Sequence, residues 1–414
     1  MNKLGLWMSA GLAALVLAAS AQAQQPLKIG FGMSLTGPLA GNGKAALISM
    51  QIWAEDVNAK GGLLGRKVEL VYYDDQTNPS TVPSIYTKLL DVDKVDLVVS
   101  GYGTNVIAPA MPIMMQRNMT FMSLFGLNVN SKFNYDRYFQ IMPAGPDPAI
   151  GWTQGFFDTA MTLNPKPQTV ALVGADAEYP ALALEGARAQ AKRTGLKVVY
   201  DKSYPPNTVD FSPIVRAIQA TNPDLVFLAS YPPDSAGMVR AVNEVGLKTR
   251  MFGGGLVGPQ FAALKTQLGP LLNGVVNYEA YAPEVSAKYP FLEQFLAKYQ
   301  GRAVKEGVDP LGFYLPPYAY AMMQVLEQAI KATGGLDQGK LADYMHTYEF
   351  DTFVGKVRFA KNGEWSIPRM LTVQYHGISG NDLEQWMKPG KVTVLAPSDY
   401  KTGTAMTPYQ DNKK

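Results

Sequence analysis

The chain has 414 residues, 47% hydrophobic and 17% charged, with a formal net charge of +3 and no cysteine. That length suggests about two domains and a core large enough to stand without disulfides. The absence of cysteine excludes disulfides, thiol chemistry and cysteine-ligated metal, and two histidines (His346 and His376) are too few for a histidine metal site. Acidic and basic residues are interspersed, so no basic stripe suits nucleic acid and no polybasic run suits an anionic membrane.

Residues 1–23 read as an export segment outside the fold. Lys3 supplies the positive start, 4–19 is apolar, and Ala21-Gln22-Ala23 is an A-x-A cleavage site that would leave Gln24 first. The apolar run is shorter than the ~20 residues that span a bilayer, and no second long run follows, so the mature chain is expected to be soluble.

From residue 27, short apolar runs rich in β-formers alternate with helical patterns. Strands are predicted over 27–33, 67–73, 96–100, 120–124, 169–174, 197–201, 224–229, 250–253 and 274–278. Helices are predicted over 44–59, 82–90, 106–117, 181–193, 211–220, 235–245 and 318–332. This alternation implies parallel sheets with helices on both faces. The strands fall into two series, ending near Ile141 and starting again near Thr169. Pro143-Ala-Gly-Pro-Asp-Pro148 between them is turn-rich and fit for a hinge. The mostly helical stretch up to Tyr344 has no strand partners and is expected to return to the first series. Residues 355–359 and 370–376 read as a hairpin around Lys361-Asn-Gly-Glu364, and the polar tail after Lys388 as an extended surface segment.

Catalytic patterns fail on inspection. Gly41-Asn-Gly43-Lys-Ala-Ala46 has the loose form GxGxxA, but Leu35–Ala40 intervenes between strand and first glycine, which argues against a dinucleotide fingerprint. A phosphate loop is excluded by Pro38 and by Ala45 after Lys44. No GxSxG elbow occurs. Asp74-Asp75 end a strand, where paired acids usually cap or form turns.

Three segments carry a resemblance: SLTGPLAGNGKAA from Ser34, NAKGGLLGRKVELVYYDDQTNPS from Asn58 and VDLVVSGYGTN from Val95. They resemble the leucine/isoleucine/valine-binding family of periplasmic solute receptors that serve ABC importers. The resemblance implies a type I periplasmic-binding α/β fold: a two-lobed Venus flytrap, each lobe a parallel-sheet sandwich, with three crossings between lobes. It implies an N-terminal lobe over 24–143 and 280–350, a C-terminal lobe over 144–279 and 351–395, and a tail over 396–414. It implies a periplasmic monomer that needs no cofactor or metal, takes a small-molecule ligand and delivers it to a permease in the inner membrane. A ligand sensor on the same fold that partners a signalling protein is the alternative, and an enzyme the third reading.

Candidate site residues come from loops beyond the carboxyl ends of strands, where open parallel sheets take ligands. Ser100-Gly101-Tyr102-Gly103-Thr104 opens a helix; its glycines permit close backbone approach, and the helix start favours a carboxylate, the group this loop holds in similar proteins. A plain tight turn is the other reading. Phe125, Gly126 and Leu127 follow the next strand, and Leu127 stands where amino-acid-binding relatives carry a threonine. Phe125 and Leu127 read equally as pocket wall or as core. Tyr179 and Tyr231 match ligand-packing tyrosines of the family, with a core role as alternative. Gly255 stands where relatives that bind α-amino acids carry an acid for the ammonium. Asp176, Glu178 or Asp234 are the possible substitutes; otherwise a ligand without an ammonium is implied, whether an aromatic acid, another carboxylate or an amide. Phe313, with Tyr314 beside it, lies near a family aromatic that packs on the ligand.

Overall fold

The structure is a computed structural model that describes residues 24–413, and the expected export segment lies outside the described residues. The first series builds β1 (Leu27–Met33), α1 (Ala40–Ala59), β2 (Val68–Asp74), α2 (Val82–Asp91), β3 (Leu97–Tyr102), α3 (Thr104–Ile107), α4 (Met111–Gln116), β4 (Phe121–Leu124) and β5 (Tyr138–Gln140). The second builds α5 (Pro148–Ala160), β6 (Thr169–Ala175), α6 (Glu178–Thr194), β7 (Lys197–Tyr204), α7 (Ser212–Ala220), β8 (Leu225–Ser230), α8 (Pro232–Val245), β9 (Met251–Leu256), α9 (Ala262–Leu268) and β10 (Val276–Glu279). Then come α10 (Leu292–Glu306), α11 (Leu315–Thr333), α12 (Gln338–Thr347), β11 (Glu349–Thr352), β12 (Gly355–Arg358), β13 (Leu371–Tyr375) and β14 (Val392–Ala396).

The two series form separate sheets. The first is all parallel in the order β2-β1-β3-β4-β5. The second runs β14-β13-β10-β9-β8-β6-β7, parallel from β7 to β10 and closed by the antiparallel β13 and β14. Its parallel part repeats the strand order of the first sheet, with β6 in the place of β1. Each sheet is therefore doubly wound, with its direction of winding reversing on either side of β1 and of β6. The molecule is a two-lobed α/β fold. Central strands β3, β4, β8 and β9 are buried along their whole length, as strands covered by helices on both faces must be. Close approach needs glycine at two points near the first crevice: a Cβ at Gly43 would lie 1.9 Å from Ser34 O, and one at Gly101 would lie 2.1 Å from Gly32 O.

The late helices pack on the first lobe. Trp53 of α1 donates to Glu327 of α11 (3.0 Å), and Tyr320 donates to Asp56 (3.0 Å). Residues 351–365, expected in the C-terminal lobe, also sit against the five-stranded sheet. Gln140 N–H donates to Gly363 O (2.8 Å), and the Phe139 and Phe359 rings meet edge-on at 5.1 Å.

Three expectations need correction. Residues 355–359 and 370–376 do not form a hairpin: β12 pairs with β11, whereas β13 lies between β10 and β14. All five β13 residues are buried, as in a strand covered on both faces of the large sheet, while β12 is mostly exposed and pairs only with β11. The expected helix 106–117 breaks into α3, a 3-10 turn (Ala108–Ala110) and α4, because Pro109 and Pro112 remove donors and crowd the preceding turn. The expected surface tail begins with β14, the edge strand of the seven-stranded sheet. Beyond it, Gln374 pairs with the backbone of Met406 (2.7 and 2.9 Å), and the buried Tyr409 ring packs on Phe252 at 5.3 Å.

Trp53 is wholly buried and its indole N–H is spent on Glu327. Trp53→Ala is expected to cost about 3–5 kcal/mol of stability, read as a lowered urea midpoint with the wild-type slope.

Candidate ligand-binding site

A cavity enclosing about 300 Å³ of atom-free space lies between the lobes, lined by Tyr102, Gly103, Thr104, Phe125, Leu127, Met142, Tyr179, Tyr231, Val257, Tyr278 and Tyr314. Its walls are the carboxyl ends of β3, β4 and β5 on one side and of β6, β8, β9 and β10 on the other. Tyr314 arrives on the segment that opens α11. Both reversal points of the winding thus face one gap.

Five tyrosines dominate the lining. Tyr102 and Tyr314 meet edge-on (5.9 Å) with their hydroxyls 3.2 Å apart, and Tyr278 donates to Tyr314 Oη at 3.4 Å. Tyr179 donates to Gly255 O (2.8 Å) and its ring rests on Tyr231 (5.6 Å). The buried Tyr231 hydroxyl has no hydrogen bond of normal geometry. Burial pushes the pKa of all five phenols up, so each is a neutral donor at physiological pH. Phe125 closes the wall edge-on to Tyr314 (5.2 Å) from a left-handed backbone with φ +57°, uncommon for a residue with a Cβ. Gln140, wholly buried, fixes that loop: its Oε1 accepts from the N–H groups of Phe125 (3.0 Å) and Met142 (3.1 Å), and its Nε2 donates to Gly126 O (2.6 Å).

The structure brings Tyr102, Gly103, Thr104, Phe125, Leu127, Tyr179 and Tyr231 together on the cavity wall. Ser100 and Gly101 stand behind it: Ser100 Oγ accepts from Leu124 N–H and donates to Gly101 O, both at 2.7 Å. Thr104 Oγ1 accepts from Leu127 N–H (3.0 Å), joining the two loops. Gly126 also lies outside the lining and gives its carbonyl to Gln140. Phe313 packs on Tyr281 (5.1 Å), and its neighbour Tyr314 takes the wall position. Gly255 is the acceptor for Tyr179, and a Cβ there would come within 3.0 Å of Tyr179 Oη, so a side chain at this position would crowd the tyrosine hydroxyl. Sequence reasoning missed Met142, Val257 and Tyr278. Val257 and Tyr278 follow or end predicted strands, so the strand-end rule applies to them; Met142 has no local signature.

None of the acids considered as substitutes lines the cavity. Asp176 is exposed, Glu178 pairs across the lobes with Lys132 (2.9 Å), and Asp234 accepts from Tyr204 (2.5 Å). Among the described residues no group of histidines and acids could hold a metal, and no helix is long and apolar enough to cross a membrane.

The model of the periplasmic binding protein family matches residues 26–376. The chain belongs to that family. Its members are periplasmic solute-binding proteins rather than enzymes. An amino acid binding protein of Pseudomonas aeruginosa is 26% identical over 368 residues, which are 87% of this chain and 93% of that one. The leucine-, isoleucine-, valine-, threonine- and alanine-binding protein of Brucella ovis, solved in a closed conformation, superposes with a TM-score of 0.73 at 20% identity, over 92% of this chain and 97% of that one. A solute-binding protein of an ABC transporter from R. palustris, solved with benzoate, superposes at 0.71 with 16% identity, over 90% and 97%.

Two outcomes follow from the site's architecture. Gln140→Ala leaves buried Phe125 N–H and Gly126 C=O without partners and is expected to cost about 3 kcal/mol or more, measured by chemical denaturation. Burial pushes the Asp234 carboxyl up to about 6, against the pull of the Tyr204 hydrogen bond. The folded state therefore holds this proton more tightly than the unfolded one, a contribution present below pH ~4 and lost as pH rises through ~6. Asp234→Asn keeps an acceptor for Tyr204 and cannot ionise. It is expected to melt above the wild type at pH ~7.5, by the equivalent of about 2 kcal/mol, and level with it at pH ~3.5.

Proposed function

We propose that the protein is the substrate-binding component of an ABC importer, and that its solute is a small organic carboxylate, aromatic or aliphatic, without an α-ammonium. The observation that carries this reading is the lining of the inter-lobe cavity: five neutral phenols and no ionised side chain. Flat rings suit a compact apolar body, and phenol hydroxyls, Tyr231 first among them, suit an anionic end. An α-ammonium would meet no carboxylate here, and burying it unpaired costs several kcal/mol. The benzoate complex of the R. palustris protein supports the reading by showing that this fold holds an aromatic acid in that relative.

Closure is part of the proposal. Contacts from both lobes exist only when the lobes meet, so a solute that touches both shifts the hinge equilibrium toward the closed form. Export through a cleaved leader, a periplasmic location, a monomeric state, return of the solute unchanged and delivery to an inner-membrane permease complete it.

A thermal-shift panel tests the ligand class. Solute at ~100 times its dissociation constant adds about 2.7 kcal/mol, a rise on the order of several degrees. Benzoates or short aliphatic acids are expected to raise the melting temperature, and leucine, isoleucine and valine to leave it unchanged; the reverse pattern would overturn the assignment. Tyr231→Phe keeps the ring and removes the one donor. It is expected to weaken binding of the active acid about tenfold by calorimetry while leaving the ligand-free melting temperature unchanged.

A further inference from the structure

A second, smaller cavity of about 190 Å³ lies between the lobes and shares Tyr314 as a wall with the tyrosine chamber. Asn42 reaches it from the first turn of α1, Gln260 from the 3-10 turn after β9, and Asp309 from the segment before α11. Asn42 and Gln260 are each 4% exposed, and Asn42 Oδ1 and Gln260 Oε1 have no hydrogen-bond partner. Gln260 Nε2 is spent on Tyr278 O (2.7 Å), which leaves the oxygen as its open end. The Asp309 carboxylate accepts from the N–H groups of Ala262 (3.1 Å), Leu311 (3.4 Å) and Gly312 (3.3 Å), and it is the only acid or base lining either cavity. The nearby buried cation is already engaged: Lys265 pairs with Glu279 at 2.6 Å under the rings of Tyr375 and Trp386.

One lobe thus offers an amide oxygen, the other offers a second, and the returning segment offers a carboxylate, with no donor of the chain to answer the two amide oxygens. Buried acceptors left open cost stability, so this set selects a donor. Resting on the carboxylate reading above, we infer that the solute carries an ammonium-type N–H donor remote from its carboxylate, read by Asn42, Gln260 and Asp309. The cavities share the Tyr314 ring as their wall. Its hydroxyl contacts of 3.2 and 3.4 Å are longer than the usual 2.7–2.8 Å of O–H···O bonds, while its ring packs on Tyr102 (5.9 Å), Phe125 (5.2 Å) and Tyr278 (6.0 Å), so a solute that reaches both cavities runs along that ring. The same layout accounts for Gly255: an amino group bound at this end needs no acid at the other.

Matched pairs test the inference by calorimetry: para-(aminomethyl)benzoate with para-ethylbenzoate, and ω-aminopentanoate with hexanoate. For at least one pair, the amine-bearing member is expected to bind the wild type about tenfold tighter or more. In Asn42→Leu and in Gln260→Leu that preference is expected to collapse to within about threefold, while the amine-free acid keeps its wild-type affinity. Amine-free acids that bind the wild type as well as their partners overturn this inference alone. A preference that survives both substitutions does the same, since the donor is then read elsewhere. If one variant fails to fold, the other and the wild-type comparison still decide. Failure of every acid, with or without an amine, overturns the carboxylate reading and this inference with it.

Discussion

Parallel strands end together, and that constraint places everything else in this molecule. Because β1, β3, β4 and β5 run the same way, the residues that follow them gather at one edge; β6, β8, β9 and β10 do the same in the other lobe. At β1 and β6 the winding reverses, so the loops on either side diverge and leave a crevice rather than a packed turn. Helices cover both faces of each sheet, which leaves the strand ends as the surface free to meet a partner. Two such crevices set against each other make a chamber whose walls are strand-end residues. Gln140 fixes the Phe125 loop on one side of that chamber by bonding Phe125, Gly126 and Met142 together.

The chamber's chemistry is a consequence of its burial. Carboxylates and ammonium groups are expensive in such a place unless paired, and the lining contains neither. Phenols keep their protons there, because burial raises their pKa, and so they remain donors with an apolar face. The ionised groups stand outside: Glu178 and Lys132 join the lobes at the partly exposed rim, where a pair is worth at most about 1 kcal/mol, and Asp234 sits behind Tyr231 against Tyr204.

Much of this was legible in the chain and some was not, for identifiable reasons. All nine predicted strands are present, because runs such as 225–230 and 169–175 are short and apolar, as strands buried on both faces are. The partner of β13 was not legible: it is β10, almost a hundred residues earlier, and local alternation carries no information about so distant a register. The strand Val392–Ala396 was hidden by its lysine- and proline-rich flanks. Within the site, strand ends pointed to Tyr102, Tyr179 and Tyr231, but not to how far along a strand the wall begins: Ser100, two residues deeper than Tyr102, spends its hydroxyl on Leu124 N–H and Gly101 O behind the wall. A one-residue ambiguity separates Phe313 from Tyr314. Asn42 and Gln260 were invisible as a pair, since only the meeting of the lobes brings helix α1 to the turn after β9.

That meeting bears on how closure is controlled. Among the buried polar atoms in or beside the chamber, Tyr231 Oη, Asn42 Oδ1 and Gln260 Oε1 make no hydrogen bond of normal geometry with the chain when the lobes are together. An unpaired buried polar group costs about 1–3 kcal/mol, so closure over nothing that answers them is held back by several kcal/mol in sum. A solute that supplies an acceptor for the phenol and a donor for the two amides removes that cost only in the closed form, because Asn42 and Gln260 come from opposite lobes. Differential affinity of this kind is what moves a two-state hinge; each 1.4 kcal/mol of it shifts the populations about tenfold. Groups that look like defects in the protein alone are, on this argument, the elements that make closing depend on what is inside.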